Sequence, residues 1–496
     1  MMLEALTGNT NYAACVAIVV AVLVVTYKKF SLAHRKGIQL PPGPPARWFW
    51  RNALPTVNIA CTLTDLVREY GPVVSFRQGS KVIIVIGGVE AAEDIMEKEG
   101  ASLVDRPRSI AAGEMLSNGM SLTMAGAGER FRRLRKAIHP HLQPKAAEAY
   151  QDMLHENAMD FILDVLNDPT NYEKHTQRFA SSIVLRVTYG KSAPTAIANP
   201  EFVRLCRVVD NFQSVIRPGA YLVDRVPLLR YLPGYGKQIY KWHNEELELF
   251  RYHLRRVKSE VDENKADPSL TKALLENTEE HQLSTDEMAY LAGTLFGAGF
   301  DTASDATYYR YCNYHYYYGC GVPPTRPGKA PTFNDSSSLP QLHAFILEAL
   351  RWRPVVQIGF PHRATKDVLW KGHCIPKGAT VYGCHWALSR DPIAFPDPEI
   401  FNPQRWFDSE GRLKDNNARF ITYGFGRRVC PGLHFTNHAL YIITALLMWS
   451  FRIAQRPDAP INTYAFSDRV TPHAEPFEIN VIPRVEVAKL RAAMAG

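Results

Sequence analysis

The chain contains no CxxC pair, no regular cysteine spacing, no long Lys/Arg run and no internal repeat. Its eight cysteines are scattered between Cys15 and Cys430, which excludes a disulfide framework and a zinc ribbon. Each cysteine is expected to behave as a small buried hydrophobe in a reducing compartment. The net charge of +8 is too mild and too dispersed to suggest a nucleic-acid binder. It suits an anionic membrane or an acidic protein partner better. The remaining composition is that of a globular protein, 46% hydrophobic and 21% charged over 496 residues, long enough to bury a large core.

Only one apolar run invites a membrane reading. Tyr12–Tyr27 gives sixteen uncharged, mostly apolar residues. As a helix it would span about 24 Å, somewhat less than the roughly 30 Å hydrocarbon core. A cleaved signal peptide is the rival, with Ser31-Leu32-Ala33 as a cleavage-like site. The charges favour an uncleaved anchor: Glu4 precedes the run, whereas Lys28, Lys29, Arg35 and Lys36 follow it and hold the downstream chain in the cytoplasm. The expected organisation is an anchor over 1–30, a Pro-rich linker over 31–45 ending in LPPGPP, and one large domain over 46–496.

Within that domain, VIIVI at 82–86 reads as a buried strand, and most of 127–306 carries helical periodicity. Short Pro/Gly-punctuated strands and loops are expected over 354–408, an apolar helix over Asn437–Trp449 and short strands in the tail. The fold class is mainly α with small β-sheets.

The strongest chemical signal is FITYGFGRRVCPGLHF, 420–435. Cys430 lies in a Gly/Pro-rich loop directly before a helix, where the helix N-terminus and backbone N–H groups favour a thiolate. Glycines there allow close approach to a flat ligand, and Arg427 and Arg428 offer forks for a carboxylate. FILEALRWRP, 345–354, sets Glu348 and Arg351 one helical turn apart among apolar neighbours, so the pair is expected to be buried. In STDEMAYLAGTLFGAGFDTAS, 284–304, Ser284 and Glu287 form a capping box ahead of a long helix that Gly297 and Gly299 weaken just before Asp301-Thr302.

The Cys430 segment resembles the haem-binding loop of the cytochrome P450 monooxygenases, with Tyr423, Gly426, Arg428, Cys430 and Gly432 in the signature places. Tyr423 stands where phenylalanine is usual. FNPQRW supplies Arg405 at the place of the arginine that completes the Glu348–Arg351 network. The resemblance covers about 40–484, and several stretches look like microsomal, fungal members of secondary metabolism.

It implies the cytochrome P450 fold and haem b with Cys430 as the thiolate iron ligand. It makes Arg428 a propionate partner and Thr302 the residue that holds dioxygen and a water. Asp301 becomes the proton relay. GERFRRLRKAIHPHL, 128–142, puts Arg135 in the place of a second propionate partner, with Phe131 where tryptophan is usual. A basic face of Arg132, Arg133 and Lys136 toward lipid or a redox partner stays open, as does a propionate contact from His362 against a solvated strand-end histidine. Further implications are an NADPH-dependent flavoprotein reductase, an apolar terpenoid, polyketide or aromatic substrate, and residence in the endoplasmic reticulum membrane with the catalytic domain cytoplasmic. Substrate contacts are expected from 105–122, 209–222, the helix around Phe296, Val355–Phe360 and Phe466–Pro472.

One stretch conflicts with this pattern. TYYRYCNYHYYYGCGVPPTRPG, 307–328, is crowded with tyrosine and then with glycine and proline. Its composition suits neither of the two helices the family places there, and the pattern is abnormal over 305–328. A divergent loop, a tyrosine-rich binding element and a splicing or reading-frame fault all stand, the last favoured. The distal helix is then expected to lose its C-terminal half, and a non-catalytic haem- or ligand-binding remnant becomes the alternative function.

Overall fold

A computed structural model describes residues 39–45, 54–55, 58–78, 81–191, 200–318 (backbone only over 308–318), 329–414, 421–467 and 469–495. Helices dominate: α1 (Glu129–Leu142), α2 (Gln151–Asn167), α3 (Tyr172–Tyr189), α4 (Pro200–Ile216), α5 (Lys237–Asp262), α6 (Thr285–Tyr318), α7 (Pro340–Trp352) and α8 (Leu433–Ser450). A four-stranded sheet is built from β1 (Val73–Gln78), β2 (Lys81–Ile86), β3 (His362–Arg363) and β6 (Thr380–Gly383) in the order β1-β2-β6-β3. Two hairpin-like pairs complete the β portion, β4 (Val368–Trp370) with β5 (His373–Ile375) and β7 (Phe451–Gln455) with β8 (Ile479–Pro483).

The elements follow from their sequences. Both arms of the capping box at the start of α6 form: Ser284 N–H donates to the Glu287 carboxylate at 3.0 Å and Glu287 N–H donates to Ser284 Oγ at 3.2 Å. Helix α8 is apolar on nearly every side and is accordingly buried against α2, α6 and α7. Its Ile442, Leu446 and Met448 meet Phe161, Phe179 and Phe345 in the main core. Each such side chain contributes about 1.5–3 kcal/mol on leaving water. The VIIVI segment pairs antiparallel with β1 and parallel with β6, and both faces of its C-terminal part are covered.

One expectation changes. Helix α6 runs through Gly297 and Gly299 and on to Tyr318, so the distal helix keeps its length. The reason lies in the breakers: residues 307–318 contain neither glycine nor proline, and the first, Gly319, follows the last helical residue. Tyrosine costs a helix only a few tenths of a kcal/mol per residue (up to about 0.7) relative to alanine. The rest of the anomalous stretch, 319–328, lies outside the described residues, as does the anchor expected over 1–30. Among the described residues no helix is long and apolar enough to cross a membrane. The end of the Pro-rich linker is docked: Ser75 of β1 donates to Pro41 O through Oγ at 2.6 Å and to Pro42 O through N–H at 2.8 Å.

Candidate active site

Helix α6, the Cys430 loop, α1 and the edge of the four-stranded sheet enclose a cavity of about 300 Å³. Cys430 and Thr302 both line it, together with apolar groups such as Leu295, Ala298, Val355 and Phe360. The loop is shaped by two glycines in the left-handed region, Gly424 at φ 82° and Gly426 at φ 57°. A hydrogen bond from Cys430 N–H to Tyr423 O at 2.9 Å closes the turn. The Tyr423 hydroxyl, the group added by the departure from phenylalanine, donates to Asn437 Oδ1 at 2.7 Å and ties the loop to α8. Burial pushes the Cys430 thiol up, while the Gly432 N–H and the Arg135 guanidinium pull it back down. Gly432 immediately precedes α8, so the sulfur faces a helix N-terminus.

Three guanidinium groups reach the same cavity, those of Arg106, Arg135 and Arg428. Arg428 donates to Val104 O at 2.7 Å and Ala125 O at 2.6 Å, Arg135 to Val429 O at 2.9 Å, and Arg106 to Pro361 O at 2.6 Å. All these partners are carbonyls. The neighbouring carboxylate, Asp105, is already engaged by Arg363 Nε at 2.6 Å and Ala127 N–H at 2.7 Å. Burial pulls the Arg428 guanidinium down to about 9, helped by the charge of Arg106, and burial pulls Arg106 down to about 10. Cations out of water with only neutral acceptors call for an anionic partner. Phe131 partly compensates: Arg428 Cζ lies 3.6 Å from its ring centroid, a cation–π platform where an indole was expected.

His362 also lines the cavity, buried, with Nδ1 donating to Leu103 O at 2.7 Å. Burial, and then the charge of Arg106, lower its pKa to about 3, so the ring is neutral. The solvated strand-end alternative is therefore set aside. Arg427 is exposed, and of the two adjacent arginines only Arg428 reaches the cavity. The face of Arg132, Arg133 and Lys136 is tied locally, by Glu129, Gln282 O and Glu280.

Thr302 donates to Ala298 O at 2.8 Å, and Asp301 turns the other way, away from the cavity. The Asp301 carboxylate accepts from Gln213 of α4 at 2.9 Å, from His473 Nε2 at 3.0 Å and from Thr471 Oγ. The helix around Phe296, expected near substrate, lines the cavity through Thr294, Leu295 and Ala298, while Phe296 itself packs in the core on Phe300. The segments 209–222 and 466–472 meet each other and α6 rather than the cavity wall.

The Glu348–Arg351 pair is buried as expected, at 0% and 1% side-chain exposure. Arg351 donates to both carboxylate oxygens at 2.8 Å. Arg405 Nε, Trp406 Nε1 and Asn402 N–H complete the shell of Glu348 at 3.1, 3.0 and 2.8 Å. Trp406 and Arg106 escaped sequence reading. For Trp406 the signal was present, as the residue after Arg405. For Arg106 only the neighbourhood was signalled, within 105–122, since its place on the cavity depends on long-range packing.

Comparison with known proteins agrees with this geometry. The cytochrome P450 family model matches residues 41–310 and 325–481, leaving out 311–324 within the tyrosine stretch. Cytochrome P450 monooxygenase 64 of Postia placenta is 42% identical over 463 residues, covering 90% of this chain and 92% of that protein. Cytochrome P450 monooxygenase 113 of the same fungus is 40% identical over 490 residues, covering 96% and 97%. A cytochrome P450 monooxygenase of Armillaria gallica is 29% identical over 504 residues, covering 95% of each chain. The chain belongs to the cytochrome P450 family, whose oxidoreductases bind haem through a cysteine thiolate. The residues present fit that group, which carries two carboxylates: a cysteine sulfur, apolar walls, and three cations that have no carboxylate partner among the described residues.

Proposed function

We propose that the chain oxidises an apolar small molecule of terpenoid, polyketide or aromatic type, with electrons from an NADPH-dependent flavoprotein reductase. The observation that carries this reading is one enclosed, largely apolar cavity reached by both Cys430 and Thr302. Haem on a cysteine thiolate supplies dioxygen activation, for which R–H + O2 + 2 e⁻ + 2 H⁺ gives R–OH + H2O.

The chain's own residues supply the rest. Cys430 holds the metal, with Gly426 and Gly432 letting the loop approach the flat cofactor and Tyr423 bracing it. Arg428 and Arg135 bind the two carboxylates, with Arg106 and His362 beside them. Thr302 Oγ1 orients a hydroxylic partner in the cavity, and Asp301 behind it holds the proton that passes inward. Glu348, Arg351 and Arg405 fix α7 to the segment leading toward the Cys430 loop. The continuity of α6 to Tyr318 supports the catalytic reading over that of a non-catalytic remnant.

Attachment to the endoplasmic reticulum membrane, with the domain in the cytoplasm, has two supports. One is the apolar run Tyr12–Tyr27. The other is a group of exposed apolar side chains, Leu222, Val226, Leu228, Tyr231 and Leu232, the third and fourth each 74% exposed.

The test is the reduced, CO-bound absorption spectrum of the full chain, followed by titration with terpenoid, polyketide and aromatic panels. A Soret band typical of thiolate ligation, shifted in the ligand-free ferric protein by one of these classes, supports the reading. A band typical of a neutral ligand overturns it.

A further inference from the structure

Behind Thr302 lies a cluster that the cavity does not use. Asp301 and Asp305 sit one turn apart on α6, 4% and 2% exposed. Asp301 has three donors, whereas among the described residues neither carboxyl oxygen of Asp305 has a hydrogen-bond partner. An unpartnered buried acid is costly unless it is neutral, and a neutral acid carries a proton. His473 bridges this interior to the surface. Its Nε2 lies 3.0 Å from Asp301 Oδ1, its side chain is 27% exposed, and its backbone is clamped by two hydrogen bonds with Ser467. The other groups facing the cluster are Gln213 and Cys206 of α4 and the surface ion pair of Arg469 with Asp210.

We propose that His473 and Asp305 form a proton inlet that takes protons from solvent and loads Asp301. In the step, His473 Nε2–H gives its proton to the Asp301 carboxylate. The imidazole is then the neutral Nδ1–H tautomer, and it regains the Nε2 proton from water by turning that nitrogen to its exposed edge and back. No electron moves. The two protons consumed per turnover come from solvent, while the two electrons come from the reductase. Asp305 serves as a second proton store beside the same imidazole.

The electrostatics agree with this assignment. Burial opposes charge on His473, but the hydrogen bond to Asp301 and the negative charge beside it outweigh burial and raise its pKa. Burial first, and the charge of Asp301 in the same direction, hold the Asp305 carboxyl well above the usual carboxylate range. The imidazole thus takes up a proton more readily than free histidine, beside an acid that gives its own up less readily than a free carboxyl. This inference rests on Asp301 being the acid that serves the cavity.

The test compares His473→Gln, which retains a donor toward Asp301, with Asp301→Asn. Haem-loaded full chain, NADPH and a flavoprotein reductase are used, and hydrogen peroxide release is measured against NADPH consumed from pH 6 to 9. His473→Gln is expected to raise the peroxide fraction at least threefold and to flatten the pH profile. With hydrogen peroxide supplied as oxidant and guaiacol as probe, no net proton uptake is needed and the variant is expected to match the wild type. A His473→Gln chain indistinguishable from wild type beside an impaired Asp301→Asn overturns the inlet alone. If Asp301→Asn is also unimpaired, the acid role of Asp301 falls with it. Equal loss in the peroxide-driven reaction makes His473 structural and overturns the inlet. Independently of activity, infrared spectroscopy at neutral pH is expected to show a protonated-carboxyl C=O band that Asp305→Asn removes; its absence from the wild type overturns the proton store.

Discussion

Arg351 meets Glu348 with two parallel hydrogen bonds of 2.8 Å inside a shell where neither side chain touches solvent. Five donors converge on that carboxylate, from Arg351, Arg405, Trp406 and Asn402 N–H. Glu348→Ala strands two guanidinium groups, and breaking a buried pair from one side costs about 3–5 kcal/mol. The variant is expected to lose cooperative thermal unfolding or most of its haem. Calorimetry and the ratio of Soret to protein absorbance check this.

Arg428 gives a prediction with opposite signs in two states. Its guanidinium is buried with carbonyl partners only, so Arg428→Leu is expected to leave the haem-free chain as stable as wild type or more stable. The same change removes a charge-assisted bond to a cofactor carboxylate, worth about 1.5–3 kcal/mol, and haem affinity is expected to fall roughly ten- to hundredfold. Melting temperatures of the haem-free variants and a haem titration separate the two effects.

Asp305 provides the pH dependence. Its folded pKa is raised, so its contribution to stability is fully present below the unfolded carboxylate value and is lost as pH rises toward the folded value. The loss runs at about 1.4 kcal/mol per pH unit within that window. Asp305→Leu removes this dependence. The variant is expected to gain stability over wild type as pH rises from the unfolded carboxylate value toward the raised folded one, read from denaturant midpoints. A constant difference across that range defeats the prediction.

Gly426 tests the loop. Its φ of 57° disfavours any side chain, and an added Cβ would lie 2.8 Å from Met96 O. Gly426→Ala is expected to cost about 1–3 kcal/mol, and the displaced loop is expected to shift part of the population to a spectrum lacking thiolate ligation.

The parts of this protein legible in its sequence are those whose determinants are local. The capping box at Ser284–Glu287, the strand at 82–86, the helix after Cys430 and the Glu348–Arg351 turn each follow from neighbouring residues, and each forms. In the tyrosine stretch only the length of α6 departs from expectation, because composition suggested a break where position supplies none. Tyrosines are tolerated wherever no breaker intervenes, and the breakers begin at Gly319. Arg106, Gln213 and His473 could not be singled out, for a different reason. Their partners lie far along the chain, Pro361 for the first and Asp301 for the other two, and no short-range pattern encodes such meetings.

The three guanidinium groups around the cavity bear on the life of the protein before any substrate arrives. Three cations that, among the described residues, meet only carbonyls would be matched by a dianionic cofactor, whose binding would stabilise the folded chain. A molecule without haem would then be the more exposed to chaperones and proteases. The amount of this protein in a cell would thus follow haem supply as well as transcription.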